Sequence, residues 1–423
     1  MTTVVVLGTC DTKLEELLFL RDRICQYGRS TEVVVIDAGR TPVDHESITI
    51  SQEALLFKYG NDENVSNHSR SDLLTMMAQC ATKAVGELFR TNSLHGIIAA
   101  GGSGASYLAS EVMRNALPIG FPKMLVSTVA SGDTGPIVGE TDITLMYSVV
   151  DVAGLNQLLR KVLSNAGTAI AAMAHAYAEP NIIPVPSKEM KRVGITMFGV
   201  TTPAVDAIRT HLESNWPIET YIFHATGHGG KALERLVREG GLDAVLDLTT
   251  TEICDFLVGG VMSAGPERLS AAAQAGIPNI ISVGATDMTN FGPKDTVPEK
   301  YRSRNLYVHN PTVTLMRTSV EESRAIGRFI ATQLKTHSKT QRLVEVWLPT
   351  GGVSMMSVPS GPFEDRIADS ALFEEIHNGL KGSDIGVIEY ASSINDSRFA
   401  VRIAESLVRK MGLGQVKASV VSA

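Results

Sequence analysis

The sequence predicts an α/β protein of two tandem, doubly wound, Rossmann-like lobes with mainly parallel sheets. Apolar β-branched runs, such as Val4–Leu7 and Val33–Ile36, are each followed by small residues and a stretch of helical spacing. Such continuous apolar runs are typical of parallel strands buried on both faces. The pattern begins again at Arg192–Met197, and 423 residues exceed what one hydrophobic core supports. Two lobes follow from these observations.

Composition excludes several classes of protein. The net charge of −7 comes without a cluster of Lys and Arg, which argues against a nucleic-acid partner. The four cysteines are far apart in sequence, as expected in a reducing cytosol rather than in a disulfide framework or zinc site. No apolar stretch is long enough to cross a bilayer. We therefore expect a soluble, cytoplasmic protein without membrane or nucleic-acid partners.

The first lobe is predicted to span residues 1–180. Its first strand and helix surround the turn Gly8–Asp11, and the later strands Gly96–Ala100 and Lys123–Thr128 each end in a loop of small residues. Three prolines within residues 180–186 indicate an extended connector, so we place a linker at 181–189. The second lobe is predicted to span residues 190–423.

The loop Gly101, Gly102, Ser103 and Gly104 is the strongest functional signal in the sequence. In doubly wound sheets ligands bind beyond the carboxyl ends of the strands. Glycines there let the backbone approach a ligand closely, and the next helix offers unpaired N–H groups to a phosphate. The alternative is a tight turn without a ligand, because the spacing matches neither a Rossmann fingerprint nor a P-loop.

Residues at the ends of the neighbouring strands are predicted to hold the same ligand. They are Gly8, Thr9, Asp11, Thr12, Lys13, Asp37, Arg40, Ser131, Gly132, Asp133 and Thr134. Asp37 is placed where nucleotide folds commonly bind a ribose, although an Asx turn before Gly39 explains it equally well. Asp11 has the alternative role of an N-cap.

The second lobe carries candidates for acid–base chemistry. His228 and Lys231 stand among glycines before a helical stretch, and Asp247 and Glu252 lie near another strand end. An exposed turn is the alternative for His228. No pair of histidines has metal-ligand spacing, so no protein-held metal is predicted. Cys10 at a helix start could be a nucleophile or a small buried residue.

Five loops together resemble one known family. They are Leu7–Lys13, Ala100–Gly104, Ser131–Thr134, Thr226–Gly230 and Thr350–Gly352. The combination is similar to the Tm-1-like ATP-binding domain family, and the resemblance extends over essentially the whole chain. It implies two Rossmann-like subdomains, ATP in the first, and a homodimer; Mg²⁺ would ordinarily accompany the triphosphate.

Two functions remain open at this point. The first is a nucleotide-binding protein of small-molecule metabolism or regulation, whose ligand the first-lobe loops hold. The second is a hydrolase, lyase or ATP-dependent ligase that acts on a small organic acid in a cleft between the lobes, with the four second-lobe candidates as acid, base or anion-holding groups.

Overall fold

A computed structural model describes residues 1–27, 30–60, 68–179 and 190–414. The chain divides into two compact units, residues 1–185 and 186–423, which we call the first and second lobes. The predicted linker, 181–189, lies outside the described residues. Among the helices described, none has the length and apolar character needed to cross a membrane.

The first lobe alternates strands and helices. Its elements in chain order are β1 Thr2–Gly8, α1 Cys10–Cys25, β2 Thr31–Asp37, α2 Gln52–Tyr59, α3 Arg70–Arg90, β3 Gly96–Gly101, α4 Ser103–Ala116, β4 Lys123–Ser127, α5 Gly135–Val138, β5 Thr144–Tyr147 and α6 Gln157–Ala178. The sheet has the order β2-β1-β3-β4-β5, and each neighbouring pair is parallel. The order reverses between β1 and β3, so this is the topological switch point of the lobe.

Helices cover both faces of this sheet, and its central strands β1, β3 and β4 are buried at every position. Val5 and Leu7 of β1 pack against one set of helices, which includes α3 and α4. Val4 and Val6 point to the opposite face and pack against α1 and α6. The fold class predicted from the apolar runs is confirmed.

The second lobe is larger and contains two sheets. Its elements in chain order are β6 Lys191–Met197, a 3₁₀ turn Gly199–Thr201, α7 Thr202–Asn215, β7 Ile218–His224, α8 His228–Arg238, β8 Ala244–Thr249, α9 Thr251–Val258, α10 Ser270–Ala275, β9 Asn279–Gly284, β10 Met288–Phe291, further 3₁₀ turns Lys294–Thr296 and Glu299–Tyr301, β11 Leu306–Asn310, β12 Val313–Arg317, α11 Val320–His337, a 3₁₀ turn Gln341–Leu343, β13 Val344–Pro349, α12 Arg366–Leu380, β14 Gly386–Tyr390 and α13 Ser397–Lys410.

The main sheet of the second lobe repeats the layout of the first. Its order, β14-β13-β9-β8-β6-β7, is parallel throughout, and the order reverses between β6 and β8. When the strands of each main sheet are numbered along the chain, both sheets have the order 2-1-3-4-5, and β14 of the second lobe adds a sixth strand next to the fifth. A small antiparallel sheet, β10-β12-β11, is inserted after β9.

Candidate functional site

A cavity of about 540 Å³ lies at the switch point of the first lobe. The carboxyl ends of β1, β2 and β3 meet there, since Gly8 is in register with Asp37 and Leu7 with Ala99. The volume is within the usual range for pockets that bind small molecules.

Most of the predicted first-lobe residues lie in the wall of this cavity. They are Thr9, Asp11, Thr12, Lys13, Arg40, Gly102, Ser103 and Gly104. Three sequence segments that are far apart in the chain therefore face one space.

The amino end of α4 forms the anion-attracting part of the wall. Gly102 is its N-cap residue and has no side chain to accept from the first-turn N–H groups, so no side-chain cap is present. The first N–H groups of a helix lack partners within the helix, and the helix dipole adds positive charge. Lys13 and Arg40 contribute cationic side chains to the same wall.

Sequence reasoning missed the part of the wall that α3 and the loop after β5 provide. Arg70, at the first position of α3, adds a third cation, and Leu73 and Met77 add an apolar surface. Asp151, in the loop before α6, adds a carboxylate. Arg70 is the last residue of a polar stretch, 44–70, in which the sequence shows no functional pattern.

Asp11 holds the loop after β2 against the first helix. Its Oδ2 accepts hydrogen bonds from the backbone N–H groups of Arg40 at 2.9 Å and Thr41 at 3.2 Å. Its own helix, α1, has no side-chain cap at Thr9. The N-cap role considered for Asp11 is therefore wrong, because the carboxylate reaches across to the neighbouring loop.

Asp37 is fully buried and is not part of the cavity wall, so the ribose contact stays a prediction. Its Oδ1 accepts from the N–H of Gly39 at 2.9 Å, which is the Asx turn considered as the alternative, and from the N–H of Cys10 at 2.9 Å. Burial raises the pKa of Asp37. Burial, with the nearby Asp37 carboxylate, also raises the pKa of the Cys10 thiol, so Cys10 is a small buried residue rather than an activated nucleophile.

Gly8 and Gly101 serve packing rather than ligand contact. A Cβ on Gly8 would lie 2.5 Å from Leu17 Cδ1, and one on Gly101 would lie 2.5 Å from the Cβ of Ala105. Both glycines allow a helix to approach a strand end closely. Each is buried and outside the cavity wall.

The loop after β4 also lies outside the cavity wall. Ser131, Gly132 and Asp133 are exposed, and Asp133 Oδ1 accepts from the N–H of Gly135, which stabilises the turn before α5. Thr134 is the N-cap residue of α5. Because β4 is one strand away from the switch point, this loop does not reach the site that the sequence assigned to it.

In the second lobe a protein carboxylate occupies the amino end of α8, where His228 and Lys231 were predicted as acid, base or anion-holding groups. Glu252 Oε1 accepts from the N–H groups of Gly227 at 2.7 Å and Gly230 at 3.0 Å. His228 and Lys231 are on the exposed side of the same helix.

Arg268 joins Glu252 to two other buried carboxylates. Its guanidinium donates to both oxygens of Asp247, at 2.5 and 2.6 Å, to Glu252 Oε2 at 2.8 Å and to Glu234 Oε1 at 3.3 Å. All four side chains are at most 5% exposed. Burial raises the pKa of Glu234. Asp247 and Glu252 therefore cannot touch a ligand as placed, which corrects the acid–base role predicted for them.

Several bacterial proteins and two tomato proteins are similar to this chain. A UPF0261 protein of Clostridium tetani is 41% identical, with 96% of this chain and 98% of that protein covered. The UPF0261 protein mlr3387 of Mesorhizobium japonicum is 42% identical, with 96% and 99% covered. The ToMV resistance protein Tm-1(GCR237) of Solanum lycopersicum is 37% identical over 96% of this chain, but over only 55% of its own length.

Two solved structures are distantly similar to this chain. A UDP-GlcNAc 2-epimerase of Methanocaldococcus jannaschii has a TM-score of 0.18 and 10% identity, with 59% of this chain and 84% of that chain covered. The S. aureus MnaA-UDP co-structure has a TM-score of 0.22 and 10% identity, with 92% and 100% covered. Neither likeness carries an argument about this chain.

The family comparison matches both lobes. Residues 2–179 match the N-terminal domain of the Uncharacterised protein family (UPF0261), and residues 190–411 match its C-terminal domain. The chain belongs to the UPF0261 family.

Proposed function

We propose that the first lobe binds a phosphorylated small molecule in the 540 Å³ cavity, with ATP as the ligand implied by the resemblance to Tm-1-like domains. One observation carries the proposal. The loops after β1, β2 and β3 meet in a single cavity wall that contains the uncapped amino end of a 14-residue helix.

The charges and surfaces of the wall match the parts of a nucleotide. Lys13, Arg40 and Arg70 can pair with phosphate oxygens, as cationic side chains do in charge-assisted hydrogen bonds. The apolar surface of Leu73 and Met77 suits a flat, weakly polar ring. A ligand with an anionic end and an apolar end therefore fits better than a simple inorganic anion.

The same proposal includes two features that come from the resemblance. A homodimer is expected, and sedimentation of the purified chain tests it. A role in small-molecule metabolism or regulation is expected for the bound state. We propose no enzymatic role for Asp247 or Glu252, because both carboxylates are bonded to Arg268.

Thermal unfolding with a panel of nucleotides, with and without Mg²⁺, tests the proposal. Saturation at about 100 times Kd should add about 2.7 kcal/mol to the stability of the lobe that binds. The decisive variants are Gly102→Asp and Gly102→Asn. A Cβ at Gly102 has only Thr128 Oγ1 nearby, at 3.7 Å, so both side chains can be accommodated.

Asp and Asn are both good N-cap residues and nearly equal in size, so they differ here only in charge. We expect Gly102→Asp to abolish the nucleotide-induced shift and Gly102→Asn to retain at least part of it. Equal nucleotide-induced thermal shifts in the two variants would contradict a phosphate bound at the amino end of α4. A wild-type protein that no nucleotide stabilises would contradict the proposed function as a whole.

A further inference from the structure

Two carboxylate oxygens near the carboxyl ends of β1 and β2 have no hydrogen-bond partner among the described residues. Asp11 Oδ1 and Asp37 Oδ2 are both buried, and both lack a donor among the described residues. The second oxygen of each residue is fully used, Asp11 Oδ2 by the N–H groups of Arg40 and Thr41, and Asp37 Oδ1 by those of Cys10 and Gly39. A buried acceptor without a partner loses its hydration and gains nothing in return.

The two carboxylates come together at Gly39. A Cβ placed on Gly39 would lie 2.7 Å from Asp11 Oδ1 and 3.0 Å from Asp37 Oδ1, so both side chains border the space that the missing side chain leaves. Asp11 and Gly39 are part of the cavity wall. Any larger residue at position 39 would push into the Asp11 carboxylate.

The surrounding cations do not neutralise this pair. Among the described residues, neither Asp11 nor Asp37 forms an ion pair with Lys, Arg or His, although the cavity wall that contains Asp11 also contains three cationic side chains. Repulsion by the Asp11 carboxylate contributes to the raised pKa of Asp37, after the larger effect of burial.

We propose that a divalent cation of the Mg²⁺ or Mn²⁺ class binds at Asp11 and Asp37 and joins these carboxylates to phosphate oxygens of the ligand. Hard divalent cations take oxygen ligands, and Mg²⁺ is usually held by one or two carboxylates together with substrate phosphates. The inference rests on the proposed function, because the cation supplies the link between an acidic corner and an anionic ligand.

The donor set requires that phosphate. No group of three or more His, Cys, Asp or Glu side chains is placed to hold a metal ion within the described part of the chain. Two carboxylates alone would bind the cation weakly. We therefore expect Mn²⁺ to bind much more tightly when a phosphate compound is present.

Two substitutions change only the oxygens without partners. In Asp11→Asn and Asp37→Asn the amide oxygen can keep the backbone hydrogen bonds described above, while an NH₂ group replaces the other oxygen and repels a cation. Asp22→Asn removes the same charge from the last turns of α1, where the side chain is 56% exposed, and serves as the control. Circular dichroism spectra establish that each variant is folded.

The experiment measures free Mn²⁺ by electron paramagnetic resonance, with the full chain and with inorganic pyrophosphate present or absent. A parallel thermal-shift titration measures pyrophosphate binding without metal. We expect one Mn²⁺ per chain in the presence of pyrophosphate, at least tenfold weaker binding in Asp11→Asn and Asp37→Asn, and wild-type binding in Asp22→Asn.

Equal Mn²⁺ affinity in the wild type and both cavity variants would overturn the cation site. Pyrophosphate binding that neither recruits Mn²⁺ nor depends on it would overturn the cation site and leave the proposed function standing. If neither pyrophosphate nor any nucleotide stabilises the wild type, the proposed function fails first, and the cation site fails with it.

Discussion

The two lobes share a strand order but differ at their switch points. Between β1 and β3 of the first lobe the loops leave a cavity of about 540 Å³. Between β6 and β8 of the second lobe, threonine side chains fill the corresponding position. Thr201 and Thr249 are hydrogen-bonded at 2.8 Å, Thr196 donates to Asp247 at 2.7 Å, and all three threonines are fully buried.

The loops of the second lobe also satisfy their own backbone groups. Glu252 accepts hydrogen bonds from the N–H groups at the start of α8, and Ser357 Oγ accepts hydrogen bonds from those of Val353 and Ser354 in the loop after β13. Small polar residues therefore follow the strands of both lobes, but they border a cavity in the first lobe and bond to one another in the second. The shared fold does not determine which edge is open to a ligand, and the site has to be argued from its side chains.

The largest predicted effect concerns the buried charge network around Arg268 in the second lobe. Arg268→Met removes the guanidinium that three buried carboxylates share, and leaves them without a counter-charge. Breaking a buried pair in this way costs about 3–5 kcal/mol. The two tryptophans of the chain, Trp216 and Trp347, are both buried in the second lobe, so the urea dependence of tryptophan fluorescence reports on this lobe.

Arg328→Met is the control for this variant. Arg328 pairs with Glu375 at 3.1 Å but is 57% exposed, and exposed pairs contribute at most about 1 kcal/mol. Similar losses of unfolding free energy in the two variants would show that the Arg268 network stabilises the second lobe no more than an exposed ion pair does.

A matched pair of glycine substitutions compares the lobes directly. A Cβ on Gly230 would lie 2.0 Å from Glu252 Oε2 and 2.7 Å from Arg268 Nε, whereas a Cβ on Gly102 has ordinary space. Gly230→Ala should therefore cost the second lobe about 1–3 kcal/mol through overpacking, and Gly102→Ala should change the first lobe by less than about 0.5 kcal/mol.

Scanning calorimetry on both variants measures this difference. Losses of similar size would mean that the first-lobe edge is as tightly filled as that of the second lobe, which contradicts an open cavity.

A third prediction concerns the pH dependence of the second lobe. Burial raises the pKa of Asp255 to about 7, and its carboxylate accepts hydrogen bonds from Asn290 and Met262. An unfolded Asp has a pKa near 3.9, so the folded lobe binds more protons between about pH 4 and 7. The free energy of unfolding should fall as the pH rises through this window.

Asp255→Asn removes this titration and should reduce the slope, as measured by urea midpoints from tryptophan fluorescence at several pH values, while Asp287, whose pKa burial raises to about 6, retains part of it. Asp295→Asn removes a carboxylate that is exposed and should keep the wild-type slope. An unchanged slope in Asp255→Asn would show that the carboxylate is ionised in the folded lobe throughout the window.

The sequence predicts the fold well because the signal is local. Each apolar run, such as Val4–Leu7, and each small-residue loop after it can be recognised from neighbouring residues. Gly102, Ser103 and Gly104 of the glycine loop lie in the cavity wall because they directly follow β3, and their contact with a ligand stays a prediction.

The errors at the site come from partners that are distant in sequence. The sequence predicts Glu252 as an acid–base group because its ion-pair partner, Arg268, lies in a distant segment without a periodic pattern. Asp151 was missed because only the tertiary fold brings the loop after β5 to the cavity. Asp37 satisfied two local patterns, of which the structure shows the Asx turn.

The smallest predicted effect lies in the loop that carries Asp151. Val149 has a φ of +66°, and the N–H of Val150 donates to the C=O of Ser148 at 2.7 Å, which makes a γ-turn with a β-branched residue at its centre. A positive φ at such a residue is strained by about 1–3 kcal/mol. Buried Val152 and the bond from Gly154 N–H to the Glu16 carboxylate, at 2.6 Å, hold the following residues in place.

Val149→Gly should relieve this strain, while the greater freedom of glycine in the unfolded chain returns about 0.5–1 kcal/mol. We expect the first lobe to gain up to about 1 kcal/mol in calorimetry, whereas Val261→Gly, at a 65% exposed position of the second lobe, should lose stability as ordinary Val→Gly changes do. If the strain serves to present Asp151 to the ligand, the stabilised variant should also show a smaller nucleotide-induced thermal shift. A loss of stability in Val149→Gly would mean that packing of the Val149 side chain contributes more than the strained backbone costs. The loop at the switch point of the first lobe would then be no more strained than the loops of the second lobe.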